Sequence, residues 1–211
     1  MNIEVDDRSL AADVAAPARS IGAVVFAHGS GSSRRSPRNL LVAGRLNEAG
    51  LLTLLFDLLS PEEGEDRSRV FDIPLLASRL LAATRWLCEQ PEASGLAVGY
   101  FGASTGAAAA LEAAARLGEE ISAVVARGGR PDLASEVLAD VVAPTLLIVG
   151  SLDHAVLEMN RSAQERLRCE SMLEIVPGAT HLFEEPGTLE KVADLAAEWF
   201  VGHLAAGVHR A

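Results

Sequence analysis

The sequence predicts an α/β fold: a mostly parallel, doubly wound sheet with helices on both faces. Three observations predict it. Continuous apolar runs recur at residues 21–27, 51–56, 96–101, 121–126 and 144–150, as expected of parallel strands covered on both sides. Between them lie segments whose apolar residues return at helical spacing. Strand followed by helix, over and over, with no internal repeat or low-complexity linker, makes a doubly wound sheet the economical arrangement.

Taken in order, residues 1–20 are expected to hold one or two antiparallel edge strands. After the 21–27 strand, Ser36-Pro37 has the composition of a helix start and Gly50 that of a helix stop. The strand at 51–56 leads into Glu62, Glu63, Glu65, Asp66, Arg67 and Arg69, a charged run read as a solvated loop, with an arch over the strand ends as the alternative. From Asp72 to Gln90, Ile73, Leu76, Leu80, Ala83 and Leu87 share a helical face, and Pro91 ends the segment. Ser171 to Val176 alternates as a strand does. The last helix starts near Pro186 and turns Leu189, Val192, Leu195 and Trp199 to one side, with His203 a further candidate. Trp86 and Trp199 are expected in the core.

Chemistry enters at Gly102-Ala103-Ser104-Thr105-Gly106, which follows the 96–101 strand and opens an alanine-rich helix. A nucleophile elbow needs this layout, because the serine sits on a strained apex and the flanking glycines let strand and helix pass closely. Asp153 follows the 144–150 strand and His181 follows the 171–176 strand. A serine hydroxyl becomes nucleophilic when an imidazole takes its proton, and a carboxylate fixes that imidazole's tautomer. Asp132, after the 121–126 strand, is the rival for the acid. The oxyanion of a tetrahedral intermediate needs two aligned N–H donors. Thr105, directly after the serine, is expected to supply one. Ser30, in His28-Gly29-Ser30-Gly31-Ser32-Ser33, is expected to supply the other, with Gly29 in reserve. His28 is expected to brace that loop, and His154 to point away from the site.

These motifs, His28-Gly29, Gly102 to Gly106, Asp153 and Gly178-Ala179-Thr180-His181, resemble the α/β-hydrolase superfamily, and within it the small cap-less dienelactone hydrolases. The resemblance runs from about residue 21 to 204 and implies the α/β-hydrolase fold and an acyl-enzyme mechanism. Dienelactone hydrolases carry a cysteine nucleophile where this chain has Ser104, which points to ordinary ester chemistry. Superfamily lids usually follow the sixth strand, and the stretch from Arg127 to Pro144 is too short for one. The site is therefore expected to be open and to suit small esters with short acyl chains. Arg34, Arg35 and Arg38 follow the oxyanion loop, while Arg127 and Arg130 follow the sixth strand. Ligands of such sheets bind at the carboxyl ends of strands, so Arg127 and Arg130 are candidate contacts for an anionic substrate, with surface ion pairing as the alternative. The resemblance implies arginines on a substrate carboxylate without assigning them to these positions.

Composition fits a single domain spanning residues 1–211, since 49% hydrophobic content in 211 residues suffices for a substantial core. The net charge of −11 argues against nucleic acid and anionic membrane surfaces as partners. No basic and apolar leader opens the chain and no apolar run is long enough to span a bilayer, so the cytoplasm is the expected compartment. Cys88 and Cys169 stand apart, outside any metal-binding pattern, and neither a metal nor another cofactor is expected. The expected activity is a serine hydrolase cleaving a small carboxylic ester or thioester. The alternatives are a catalytically silent binding protein of the same fold, or a peptidase or perhydrolase using the same residues. The oligomeric state stays open.

Overall fold

The computed structural model describes residues 1–5 and 8–205. Eight strands form one sheet: β1 (Asn2–Val5), β2 (Arg8–Ala15), β3 (Gly22–Ala27), β4 (Leu51–Phe56), β5 (Val98–Ala103), β6 (Ile121–Arg127), β7 (Thr145–Gly150) and β8 (Ser171–Val176). Their spatial order is β1-β2-β4-β3-β5-β6-β7-β8. Both expected edge strands are present, β1 antiparallel to β2 and β2 antiparallel to β4, and every other pairing is parallel.

Side chains alternate across the sheet with period two. Val25, Leu54 and Tyr100 face one core, and Val24, Leu55 and Phe101 face the other. The first core is covered by α4 (Ile73–Cys88) and α5 (Thr105–Leu117), the second by α1 (Pro37–Glu48) and α7 (Thr188–Leu204). The helix ends follow local chemistry. Ser36 accepts a hydrogen bond from Asn39 N–H at 3.4 Å, Pro37 occupies the first turn of α1, and Gly50 takes φ +86° just past its end. Asp72 caps α4 through Leu75 N–H, and Gly187, left-handed, precedes α7. Trp199 is buried, whereas Trp86 is half-buried against the first core.

One segment departs from expectation. Residues 60–70, exposed as expected at all but a few positions, form two short helices, α2 (Pro61–Glu65) and α3 (Arg67–Val70), in place of a loop. The reason is local and tertiary together. Ser60 and Glu63 make a reciprocal capping box, and the Glu63 carboxylate is buried against Arg79 at 3.2 Å and Arg69 at 3.2 Å. Between β6 and β7 the chain makes 3₁₀ turns at Pro131–Ala134 and Leu138–Asp140, with no cap inserted. Among the described residues no helix is long and apolar enough to cross a membrane.

Candidate active site

The sheet order reverses direction between β3 and β5, so the crevice at their carboxyl ends is where a ligand of this architecture binds. Ser104 stands there, at φ 51° and ψ −118°, a backbone state that costs a non-glycine residue roughly 1–3 kcal/mol. Three hydrogen bonds hold it. Its N–H donates to Arg127 C=O at 3.1 Å, and its own C=O accepts from Ala107 N–H and Arg130 N–H, each at 3.1 Å. A methyl on Gly102 would lie 2.5 Å from Ala107 Cα, and one on Gly106 2.1 Å from Ala27 C=O. Neither position admits a side chain.

Asp153 sits at the N-cap of α6 (His154–Arg166) yet makes no capping bond. Its carboxylate instead meets His181 Nδ1 at 2.6 Å. The two loops that carry them are joined, because Gly178 N–H donates to Ser151 Oγ at 2.8 Å and Leu152 N–H to Ala179 C=O at 3.0 Å. Phe183, buried in the second core, anchors the histidine loop from below. A carboxylate on Nδ1 leaves Nε2 as the basic nitrogen. Asp132 is occupied elsewhere, in a two-pronged pair with Arg130 at 2.9 and 2.7 Å. His154 is exposed on the first turn of α6.

The loop after β3 is braced as its sequence suggests. His28 Nε2 accepts from Leu58 N–H at 3.0 Å, which leaves the proton on Nδ1, 3.0 Å from Gly29 C=O. Burial holds the His28 pKa below its ordinary value, against the pull of the Gly29 carbonyl and Asp57. Arg34 is likewise structural, since its N–H and Nη1 both bind the Asp57 carboxylate, at 2.7 and 2.6 Å. Gly29 lies so close to the elbow that a methyl there would stand 3.1 Å from Ser104 Cβ. Thr105 N–H opens α5, where no intrahelical partner exists for it. Ser30 N–H donates to Thr105 Oγ1 at 2.8 Å.

Ser104 and His181 line one cavity of about 260 Å³ with Ser30, Leu182, Arg38 and Arg127. Arg127 is only 6% exposed, and its side chain makes no hydrogen bond or ion pair with the other described residues. Its guanidinium lies 5.9 Å from the Phe183 ring centre. Burial, and after it repulsion from Arg38, lowers its pKa to about 10. Arg130, the other candidate, turns to Asp132 and is not part of this cavity. A second cavity, of about 220 Å³, adjoins the same loop after β3 and is walled by Leu58, Leu59, Val70, Leu76 and Thr105. Sequence reasoning missed this apolar wall. Its only signal was Leu58-Leu59 directly beyond the carboxyl end of β4. Among the described residues no group of three or more His, Cys, Asp or Glu side chains is placed to hold a metal.

The sheet order and the strained elbow define an α/β-hydrolase. More narrowly, the chain belongs to the dienelactone hydrolase family, whose sequence profile matches residues 9–200. It is 55% identical to a dienelactone hydrolase from Anabaena variabilis, with a TM-score of 0.93 over 97% of this chain and 96% of that one. Est1E from Butyrivibrio proteoclasticus shares the fold at 17% identity, with a TM-score of 0.82 over 96% and 97% of the two chains. Two Mycobacterium tuberculosis proteins named as candidate phosphoribosyl transferases are 60% identical over 195 residues, which is 92% of this chain and 44% of theirs. The chain thus spans less than half the length of those relatives.

Proposed function

We propose that this α/β-hydrolase is a serine hydrolase that cleaves a small carboxylic ester or thioester through an acyl-serine intermediate. The observation that carries the reading is the 2.6 Å contact of His181 Nδ1 with Asp153, made beside a cavity that His181 shares with the strained Ser104. In the first step Ser104 Oγ attacks the carbonyl carbon while His181 Nε2 takes the hydroxyl proton. His181 then returns a proton to the leaving alcohol or thiol, and water, activated by the same imidazole, releases the acid. Asp153 holds the tautomer and stabilises the imidazolium. Thr105 N–H supports the oxyanion.

The buried, unpaired Arg127 favours substrates bearing an anion near the scissile bond, a carboxylate or a phosphate, with Arg38 adding positive charge from the cavity wall. We attribute the transferase name of the mycobacterial relatives to the part of those proteins outside the matched region, because the matched residues carry hydrolase chemistry.

Labelling with a fluorophosphonate tests the central reading. One equivalent is expected on Ser104, none in Ser104→Ala, and a fall in kcat of about 10³-fold or more is expected for His181→Ala. A folded wild-type protein that takes up no label would instead be a silent binding protein.

A further inference from the structure

Ser104, Asp153 and His181 stand beyond three different strands, and the segment after a fourth, residues 127–130, touches two of them. Arg127 C=O accepts from Ser104 N–H, and Arg130 N–H donates to Ser104 C=O, each at 3.1 Å. Gly128, at φ +51°, packs against the base: a methyl there would stand 3.5 Å from His181 Nδ1 and Cε1. Gly129 is pressed onto α5, where a methyl would meet Ala107 Cβ at 2.8 Å. Two successive glycines give a segment little stiffness of its own. Its position has to be imposed from outside.

Asn160, on α6, is in contact with that segment. It is fully buried, and its Nδ2 donates to Gly129 C=O at 2.9 Å and to Val156 C=O of its own helix at 2.8 Å. Both partners are carbonyl oxygens, so the amide nitrogen faces them and both of its protons are used. Oδ1, on the other side, has no hydrogen-bond partner among the described residues. A buried acceptor left unpaired costs free energy, and a leucine, branched at the same atom, would fill the space without that cost. Packing alone does not account for asparagine here. Its place on the helix does, since Asn160 lies about two turns along α6 from Asp153, whose C=O starts the helix by accepting from Leu157 N–H at 2.9 Å.

We infer that Asn160 is a positioning residue for hydrolysis: it pins residues 127–130 to the helix that begins at Asp153, so that the backbone of the nucleophile, the face of the base and the acid share one rigid reference. The inference rests on the acyl-serine reading above. Asn160 touches neither substrate nor a reacting atom. It acts through Gly129 C=O, and from there through the two hydrogen bonds that grip Ser104 and the contact of Gly128 with the His181 ring. Reacting groups misplaced by about 1 Å can cost about 10²-fold in rate, so a remote amide that holds their common support has leverage on kcat. Substrate binding does not pass through it, and KM should be left alone.

Asn160→Leu removes both donors. Its kcat on 4-nitrophenyl acetate, counted per Ser104 titrated with fluorophosphonate, is expected to fall about 10- to 100-fold with KM little moved, and labelling of Ser104 is expected to slow in parallel. Asn160→Asp, of the same shape but with at most one donor proton, is expected to fall as well, and it carries the measurement if the leucine variant does not fold. Thr145→Val is the control. It also loses a buried hydrogen bond from side chain to carbonyl, to Ala143 C=O at 2.9 Å, but at the amino end of β7, away from the site, and its kcat should stay at the wild-type level. Full kcat per labelled serine in a folded Asn160 variant would overturn the inference and leave Asn160 a fastener of the fold. A raised KM at unchanged kcat, or an equal fall in Thr145→Val, would overturn it too. Wild-type labelling separates this failure from the larger one. If wild-type Ser104 is labelled and the Asn160 variants keep their kcat, only the positioning role falls; if wild-type Ser104 takes up no label, the acyl-serine reading falls first and takes this inference with it.

Discussion

Among the described residues two guanidinium groups are buried, and they are buried differently. Arg79, on α4, is 3% exposed, and it donates from Nη2 to the Glu63 carboxylate and from Nη1 to Val5 C=O, each at 3.2 Å. Arg127, at the end of β6, is 6% exposed and has no carboxylate, only the Phe183 ring and a second arginine. The effective penalty for burying an ion is several kcal/mol, and a counterion in good geometry offsets it. Arg79 and Glu63 therefore complete each other and hold the wall at α2. Arg127 carries its penalty in the cavity of Ser104 and His181, the one place where an incoming anion can relieve it. Unrelieved burial of charge is tolerated where a fold binds something.

The largest expected effect breaks the paired member. Glu63→Gln strands Arg79 and is expected to lower unfolding free energy by about 3–5 kcal/mol, read from urea titration. Arg127→Met should keep or raise stability in the same assay, because it removes a charge that has no partner. Equal losses in the two variants would erase the distinction.

A smaller effect concerns what Arg127 waits for. Wild type is expected to cleave the mono-4-nitrophenyl ester of glutaric acid faster than 4-nitrophenyl pentanoate, its neutral counterpart. Arg127→Met should lose about 10- to 100-fold in kcat/KM on the charged ester, as expected when a hydrogen bond to a charged group worth about 1.5–3 kcal/mol is removed, while the neutral ester changes little. Arg130→Met should alter neither rate, since Arg130 is engaged with Asp132. Equal wild-type rates on the two esters would leave Arg127 without a ligand. Smaller again, inorganic phosphate at millimolar concentration should raise the Tm of wild type by a few degrees and leave that of Arg127→Met unmoved, as mass action on a single anion site requires.

The fold was legible because its strands are apolar on both faces. Period and turn residues alone place β3 to β8 within about two residues, the usual uncertainty of such boundaries. The placement of Ser104, Asp153 and His181 at strand ends was legible for a related reason, since β5, β7 and β8 end at Ala103, Gly150 and Val176, shortly before each of them. Residues 60–70 are solvated, as their charge suggests, at all but one of the six charged side chains, and the exception, Glu63, was not legible because nothing local reveals that it finds Arg79 on another helix. The same blindness applies to the arginines. Arg127 and Arg130 look equivalent in sequence, and only the carboxylate of Asp132, within reach of one and not the other, tells them apart. At Ser30 the sequence leaves out one detail, because backbone pattern alone does not reveal that its amide donates to a side chain, Thr105 Oγ1.

The smallest prediction sets Arg127 against a half-buried base, His28. Burial depresses both Arg127 and His28, but at about 10 the arginine stays charged at every pH near neutrality. The imidazole, held neutral by Leu58 N–H on Nε2, does not. Its folded pKa lies below the unfolded value of 6.5, so its contribution to stability is fully present above pH 6.5 and is lost as pH falls through the folded pKa. The slope cannot exceed about 1.4 kcal/mol per pH unit for one proton. Urea midpoints measured between pH 7 and pH 5 should therefore fall more steeply for wild type than for His28→Gln, whose amide oxygen can still accept from Leu58 N–H without titrating. Arg127→Met should follow the wild-type slope across the same range. Parallel curves for wild type and His28→Gln would mean that His28 is not the neutral brace of the loop after β3, and a flattened curve for Arg127→Met would mean that the arginine's charge is coupled to a group that titrates near neutrality.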